Sequence, residues 1–253
     1  MKLANKVAII TGSSSGVGAQ TAIQLAHLGV SVVINYAHSQ DKAQAVYEQI
    51  IASGGKAIIQ QADVSDNQQC IELIDATINA FGCLDIVINN AGTTAFVPHT
   101  DLDGLTDDIW LQTLGTNLLG PFYVSRAAAP YLTAQGGGEI VMTSSIAGLT
   151  AHGSSIAYCT SKAGLNSLTK TLANALGPQN IRVNAICPGL IDDDWSRNGW
   201  QDNWEAAKQY TLDHSAIKRV STSSDIAQSI IAILLGSDNM TGQLISIDSG
   251  LTL

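Results

Sequence analysis

Charge is scarce in this chain of 253 residues. Charged side chains make up 13% of it, and 12 Lys and Arg face 21 Asp and Glu, leaving a net charge of −9. No cluster of Lys or Arg occurs, so the electrostatic footprint of a nucleic-acid or anionic-membrane binder is missing and neither partner is expected. Cysteine is also sparse. Cys70, Cys83, Cys159 and Cys187 are scattered without disulfide or metal-site spacing. Cys159 is read as a small, core-facing thiol. His27, His38, His99, His152 and His214 form no ligand cluster, and no catalytic metal is expected. No run of 18 apolar residues occurs, nor a charged leader followed by an apolar stretch, so the reading is a soluble, cytoplasmic protein. The length suits one α/β domain over residues 1–253 with ample core.

Aliphatic residues fill the space that charge leaves, as a sheet buried on both faces requires. β-Branched runs such as Ser31-Val32-Val33-Ile34 and Leu84-Asp85-Ile86-Val87-Ile88 alternate with helical patterns. Strands are predicted near 7–10, 31–36, 56–61, 84–89, 139–144, 181–187 and 243–247. Helices are predicted near 16–29, 40–53, 67–81, 108–134, 157–177 and 224–235, with glycines at their ends, as at Gly29, Gly54, Gly82 and Gly177. This alternation implies right-handed crossovers and a Rossmann-type doubly wound parallel sheet of about seven strands, with helices on both faces. Ligands of such sheets lie outside the carboxyl ends of the strands. Gly12, Asp63, Asn90, Ser145 and Pro188 each fall just after a predicted strand, so distant parts of the sequence converge on one rim.

Two motifs on that rim carry chemistry. Thr11-Gly12-Ser13-Ser14-Ser15-Gly16-Val17-Gly18 sits between the apolar run Val7-Ala8-Ile9-Ile10 and a helical pattern. Strand, glycine turn and helix together bind phosphate, because bare backbone permits close approach and the helix N-terminus offers free N–H groups. The second motif is Ser145 followed by Tyr158 and Lys162. On a helix, residues four apart share a face. An ammonium about 4 Å from a phenol favours the phenolate by about 4 kcal/mol at an effective dielectric near 20, so the tyrosine pKa is expected to be lowered by roughly three units.

With these motifs in place, the sequence resembles the short-chain dehydrogenase/reductase family along essentially its whole length. Thr11 to Gly18, Asp63-Val64, Asn89-Asn90-Ala91-Gly92, Asn117, Ser145 with Tyr158 and Lys162, and Pro188-Gly189 appear in the family's order. The general style is similar to 3-oxoacyl-carrier-protein reductases. The resemblance implies an NAD(P)(H)-dependent oxidoreductase interconverting a carbonyl and an alcohol. Tyr158 is then the general acid or base. Lys162 lowers its pKa and bonds the nicotinamide ribose, Ser145 donates to the substrate oxygen, and Asn117 holds a water that links Lys162 to solvent. Gly12, Ser14, Ser15, Gly16, Val17 and Gly18 are assigned to the cofactor phosphates, and Asp63 with Val64 to the adenine. Asn90, Ala91 and Gly92 position sheet and cofactor, while Pro188, Gly189 and Ile191 pass the nicotinamide.

The segment Asn35-Tyr36-Ala37-His38-Ser39 lies where NAD-selective relatives carry an Asp or Glu for the ribose 2′-hydroxyl. No acid stands there to repel a 2′-phosphate and no arginine to bind it, so NADP(H) is favoured over NAD(H), with dual specificity as the alternative. The resemblance further implies a substrate flap over 190–222. Where relatives often carry a threonine, this chain has Asp193 within Asp192-Asp193-Asp194, a site expected to disfavour anionic substrates. Trp195, Trp200 and Trp204 either wall a pocket or anchor the flap. The helices 108–134 and 157–177, with Ala127, Ala128, Ala163, Ala173 and Ala175, imply a homotetramer or dimer. Three functions stay open: an NADPH-dependent reductase of a small uncharged ketone or aldehyde, a 3-oxoacyl-carrier-protein reductase, and a non-catalytic NADP-sensing regulator.

Overall fold

Short β-branched and aliphatic runs favour the extended form where both faces are buried, and seven strands line up parallel. The computed structural model describes residues 2–236 and 238–253. In chain order the elements are β1 (Val7–Ile10), α1 (Gly16–His27), β2 (Ser31–Tyr36), α2 (Gln40–Ala52), β3 (Lys56–Gln61), α3 (Asn67–Phe81) and β4 (Ile86–Asn89). Next come α4 (Asp107–Leu114), a π-helical turn (Gly115–Leu119), α5 (Gly120–Ala134), β5 (Gly138–Thr143), α6 (Ala147–Thr150) and α7 (Ile156–Leu176). The chain continues through β6 (Ile181–Pro188), β7 (Ile191–Asp192), α8 (Asp194–Trp200), α9 (Trp204–His214), β8 (Ser221–Thr222), α10 (Ser223–Leu235) and β9 (Leu244–Ile247).

The main sheet runs β3-β2-β1-β4-β5-β6-β9, every pair parallel. Strand alternation sends neighbours to opposite faces. Ala8 and Ile10 pack with Ile34, Val141, Ile226 and Ile230 under α1 and α10. Ile9 packs with Val33, Val87, Met142, Leu73 and Leu132 under α3 and α5. Burying an isoleucine side chain fully contributes about 1.5–3 kcal/mol, so both faces stabilise the same sheet. The strand order reverses between β1 and β4, which opens a crevice at their carboxyl ends.

The structure adds to the sequence reading in three places. The helix expected over 108–134 is present from Asp107 to Ala134, with a π turn at Gly115–Leu119 inside it. The segment 190–222 is regular, with α8, α9 and the two-stranded ladder of β7 and β8. The four-residue α6 follows β5 in a stretch where no element was predicted. No helix among the described residues is long and apolar enough to cross a membrane.

Candidate active site

A cavity of about 930 Å³ opens at the carboxyl ends of the central strands. Its floor is the turn from β1 to α1. Gly12 has φ +62°, and a Cβ there would stand 2.9 Å from the Ala91 Cα. A Cβ on Gly18 would stand 2.5 Å from the Gly12 carbonyl oxygen and 2.6 Å from Asn90 Nδ2. Only bare backbone lets the turn press against the exit of β4. Asn90 completes the joint, donating from Nδ2 to the Thr11 carbonyl (3.0 Å) and the Gly12 carbonyl (3.3 Å). Helix α1 then starts without a side-chain cap. Its first-turn N–H groups are the donors that phosphate oxygens need, so the turn fits a dinucleotide.

Ser14, Ser15, Gly16, Val17, Ala37, His38, Asp63, Val64, Ala91, Gly92, Pro188, Gly189 and Ile191 line the same cavity. Four expected residues do not line it: Gly18, Tyr36, Ser39 and Asn117. Gly18 shapes the turn from behind, Tyr36 is buried, and Ser39 stands at the N-cap position of α2. Asn35 reaches the cavity but its side chain is committed. Its Oδ1 accepts from Gly12 N (3.0 Å) and its Nδ2 donates to the Ala62 carbonyl (3.0 Å), so it braces the turn against β3.

Tyr158 and Lys162 stand one turn apart on α7, whose start is capped by Ser155 accepting from Tyr158 N. Lys162 Nζ lies 5.5 Å from the Tyr158 ring centroid and donates to the Thr143 carbonyl at 2.8 Å. Burial pushes the phenol up to about 12, against a side-chain hydrogen bond from Ser145 that favours the anion. Burial also brings the ammonium down to about 8, while the nearby Cys187 acts the other way. The lowered tyrosine pKa expected from the Tyr-x-x-x-Lys spacing is therefore corrected. For the half-buried phenol, desolvation outweighs the contact with Ser145. A neutral phenol beside a cation is the form a proton donor needs.

Asn117 sits in the π turn, wholly buried. Its Oδ1 accepts from Thr93 N (2.8 Å), and its Nδ2 donates to the Thr93 carbonyl (2.9 Å) and Ser161 Oγ (3.0 Å). Ser161 in turn donates to the Tyr158 carbonyl (2.8 Å). Both amide hydrogens are therefore spent on joining the loop after β4 to α7. Thr93, Thr143 and Ser161 are parts of the site that sequence reasoning missed, because nothing local marks them.

Over the site lies the 190–222 segment. Trp195 and Trp200 line the cavity, together with Phe96 from the loop after β4. Trp204 does not; it is buried, with the Arg197 guanidinium 5.9 Å from its ring centroid, and anchors α9. Asp192 pairs with Arg197 at 2.6 Å, Asp194 is exposed, and only Asp193 of the three acids lines the cavity.

A model of the family described as short chain dehydrogenase matches residues 6–204. The chain belongs to that family. It is 37% identical over 244 residues to a Streptomyces violaceoruber protein described as ketoacyl reductase 2 of the granaticin polyketide synthase, covering 96% of this chain and 95% of the relative. It is 36% identical over 250 residues to the 3-oxoacyl-[acyl-carrier-protein] reductase FabG of Staphylococcus epidermidis RP62A, covering 98% and 99%. A crystal structure from Burkholderia xenovorans, described as a short-chain dehydrogenase/reductase, superposes with a TM-score of 0.89 at 34% identity and 97% coverage of both chains. As a short-chain dehydrogenase the protein is an oxidoreductase that uses a nicotinamide cofactor to interconvert a carbonyl and an alcohol.

Proposed function

We propose that this short-chain dehydrogenase is an NADPH-dependent reductase of small, uncharged ketones or aldehydes. One observation carries the reading. A phenol whose pKa is pushed up by desolvation stands with Ser145 and Lys162 in a cavity whose lining holds Lys162 as its only Lys or Arg among the described residues. When bound, a nicotinamide dinucleotide would supply hydride chemistry at the carbonyl carbon. Ser145 Oγ holds the carbonyl oxygen, and Tyr158 gives it a proton. The Lys162 charge, fixed by the Thr143 carbonyl, stabilises the phenolate left behind. Asn117 is a positioning residue, acting on Tyr158 through Ser161 and on the loop after β4 through Thr93.

The end of β2 supports the preference for NADPH. Ala37, His38 and Ser14 line the cavity, and no acid stands among residues 35–39. Fluorescence titration with both cofactors tests this, and tighter binding of NADH would overturn it. The reading also has the enzyme working in the cytoplasm as a homotetramer or dimer. In support, Leu111 is 70% exposed and Leu119 is 43% exposed, and Ala163 and Ala175 lie open on α7, whereas Ala128 and Ala173 are turned into the core. A monomer by light scattering at micromolar concentration would refute the assembly.

Reduction of a 3-oxoacyl-carrier-protein is the second reading, favoured by the names of relatives such as that from Staphylococcus epidermidis. Carrier protein is acidic and docks on cations. Arg126 is not among the cavity residues; it is engaged with Asn67 and with the Phe122 and Tyr123 rings. Comparing kcat/KM for one 3-oxoacyl group on carrier protein and on a small neutral thioester separates the two readings. A large advantage for the carrier-bound form would select the second.

A further inference from the structure

The part of the cavity beyond Tyr158 is built of aromatic faces. The Phe96 ring meets Trp200 edge-on, with centroids 5.5 Å apart and planes at 73°. It meets Trp195 at 6.2 Å, and Trp195 in turn meets the Tyr158 ring at 6.4 Å. The chain makes room for this cluster with a glycine inside a helix, which costs about 1 kcal/mol relative to alanine. A Cβ on Gly199 of α8 would collide with Cε2 and Cζ of Phe96. Phe96 is thus seated against α8, while Trp195 keeps 48% of its surface exposed beside the catalytic phenol. Among the described residues this end of the lining holds no Lys or Arg other than Lys162.

We propose that this cluster selects carbonyl compounds carrying a neutral aromatic ring a short way from the reacting carbon, with Trp195 as the specificity-determining side chain. The proposal rests on the carbonyl-reductase reading above. An aromatic ring packs on another at offset or edge-on geometry with a gain beyond that of apolar area alone. A saturated ring of equal carbon count has no such preference and, being bulkier, would win if plain burial decided.

The test uses 4-phenyl-2-butanone and 4-cyclohexyl-2-butanone, whose rings stand too far from the carbonyl to change its reactivity. With NADPH, the wild-type enzyme is expected to favour the phenyl ketone in kcat/KM by about 2- to 12-fold. Trp195→Leu should bring that ratio to one or below, and Trp195→Phe should restore part of it. Calorimetric affinities of the NADP⁺-loaded protein for the two ketones provide a second readout that does not need turnover. Equal handling of the pair by wild type, an unchanged ratio in Trp195→Leu, or binding of neither ketone would overturn the proposal. Turnover without discrimination would leave the reductase reading standing and the aromatic selection refuted. Selective binding without turnover would do the reverse.

Discussion

Asp193 of the flap lies against Gly16 of the glycine turn: a Cβ on Gly16 would stand 3.4 Å from Asp193 Oδ2. The same oxygen accepts from Ser223 Oγ at 3.2 Å, while Oδ1 caps α8 by accepting from Ser196 N at 2.9 Å. Position in the motif suggested the nicotinamide end of the site. The fold instead brings this carboxylate to the N-terminus of α1, where cofactor phosphate is expected.

Asp193→Asn should therefore tighten dinucleotide binding. A carboxylate about 6 Å from an anion costs about 2–3 kcal/mol at an effective dielectric near 20, and salt reduces this to a gain of roughly tenfold. Asparagine caps helices as well as aspartate does, so α8 should persist. Titrations at low and high ionic strength check the idea, since the advantage should shrink as salt rises. Unchanged affinity at both would mean that the carboxylate swings away when cofactor binds.

Tyr158→Phe removes the proton donor and leaves the ring. Turnover should fall by about 10²–10⁴-fold with cofactor affinity nearly intact. Retention of more than half the activity on the best ketone would remove Tyr158 from the chemistry.

Lys162 is held as a buried cation at a cost in stability. Its pKa falls from an ordinary 10.5 to about 8 in the native protein. Between those values the unfolded chain keeps a proton that the native state has lost, so the native protein gains stability as pH rises through that window. Below about pH 8 both states are protonated and the burial cost is present in full. Lys162→Met should then be more stable than wild type at pH 7 by about 1–3 kcal/mol, and nearly inactive. Urea midpoints at pH 7 and 9.5 provide the check. An advantage for the variant that grows with pH would contradict the assignment.

The parallel strands were legible because their residues are apolar on both faces, as in Val7–Ile10 and Ser31–Tyr36, and a buried strand needs nothing else. The Ser145, Tyr158 and Lys162 set was legible because its spacing is local to one strand end and one helix. The π turn at Asn117 was not. Gly115-Thr116-Asn117-Leu118-Leu119 reads as ordinary helix, and the contacts that accompany the turn, to Thr93 and Ser161, are 24 and 44 residues away. Helix α8 was hidden for a similar reason. Seven residues with an internal Gly199 have weak propensity, and Phe96, seated against that glycine, comes from a loop a hundred residues earlier. Asn35 shows the opposite failure: placed by motif beside the ribose, it is taken up by the fold as a brace.

Gly18 tests how much of the cofactor site is packing and not contact. It does not line the cavity. Yet a Cβ would stand 2.5 Å from the Gly12 carbonyl oxygen, 2.6 Å from Asn90 Nδ2 and 2.8 Å from the Ser13 Cα. Two of these three atoms are backbone and cannot rotate aside, so α1 must move outward from the turn. Gly18→Ala gains the small helix-propensity advantage of alanine, under about 1 kcal/mol, and loses about 1–3 kcal/mol to overpacking. The second term wins, and the expected result is a lower urea midpoint together with at least tenfold weaker dinucleotide binding. Gly54→Ala, where a Cβ meets nothing within 4 Å but φ is +80°, is the control. It should lower the midpoint through backbone strain and leave dinucleotide affinity unchanged. Loss of affinity in both variants to the same degree would show that general destabilisation, and not the fit of α1 against the glycine turn, sets cofactor binding.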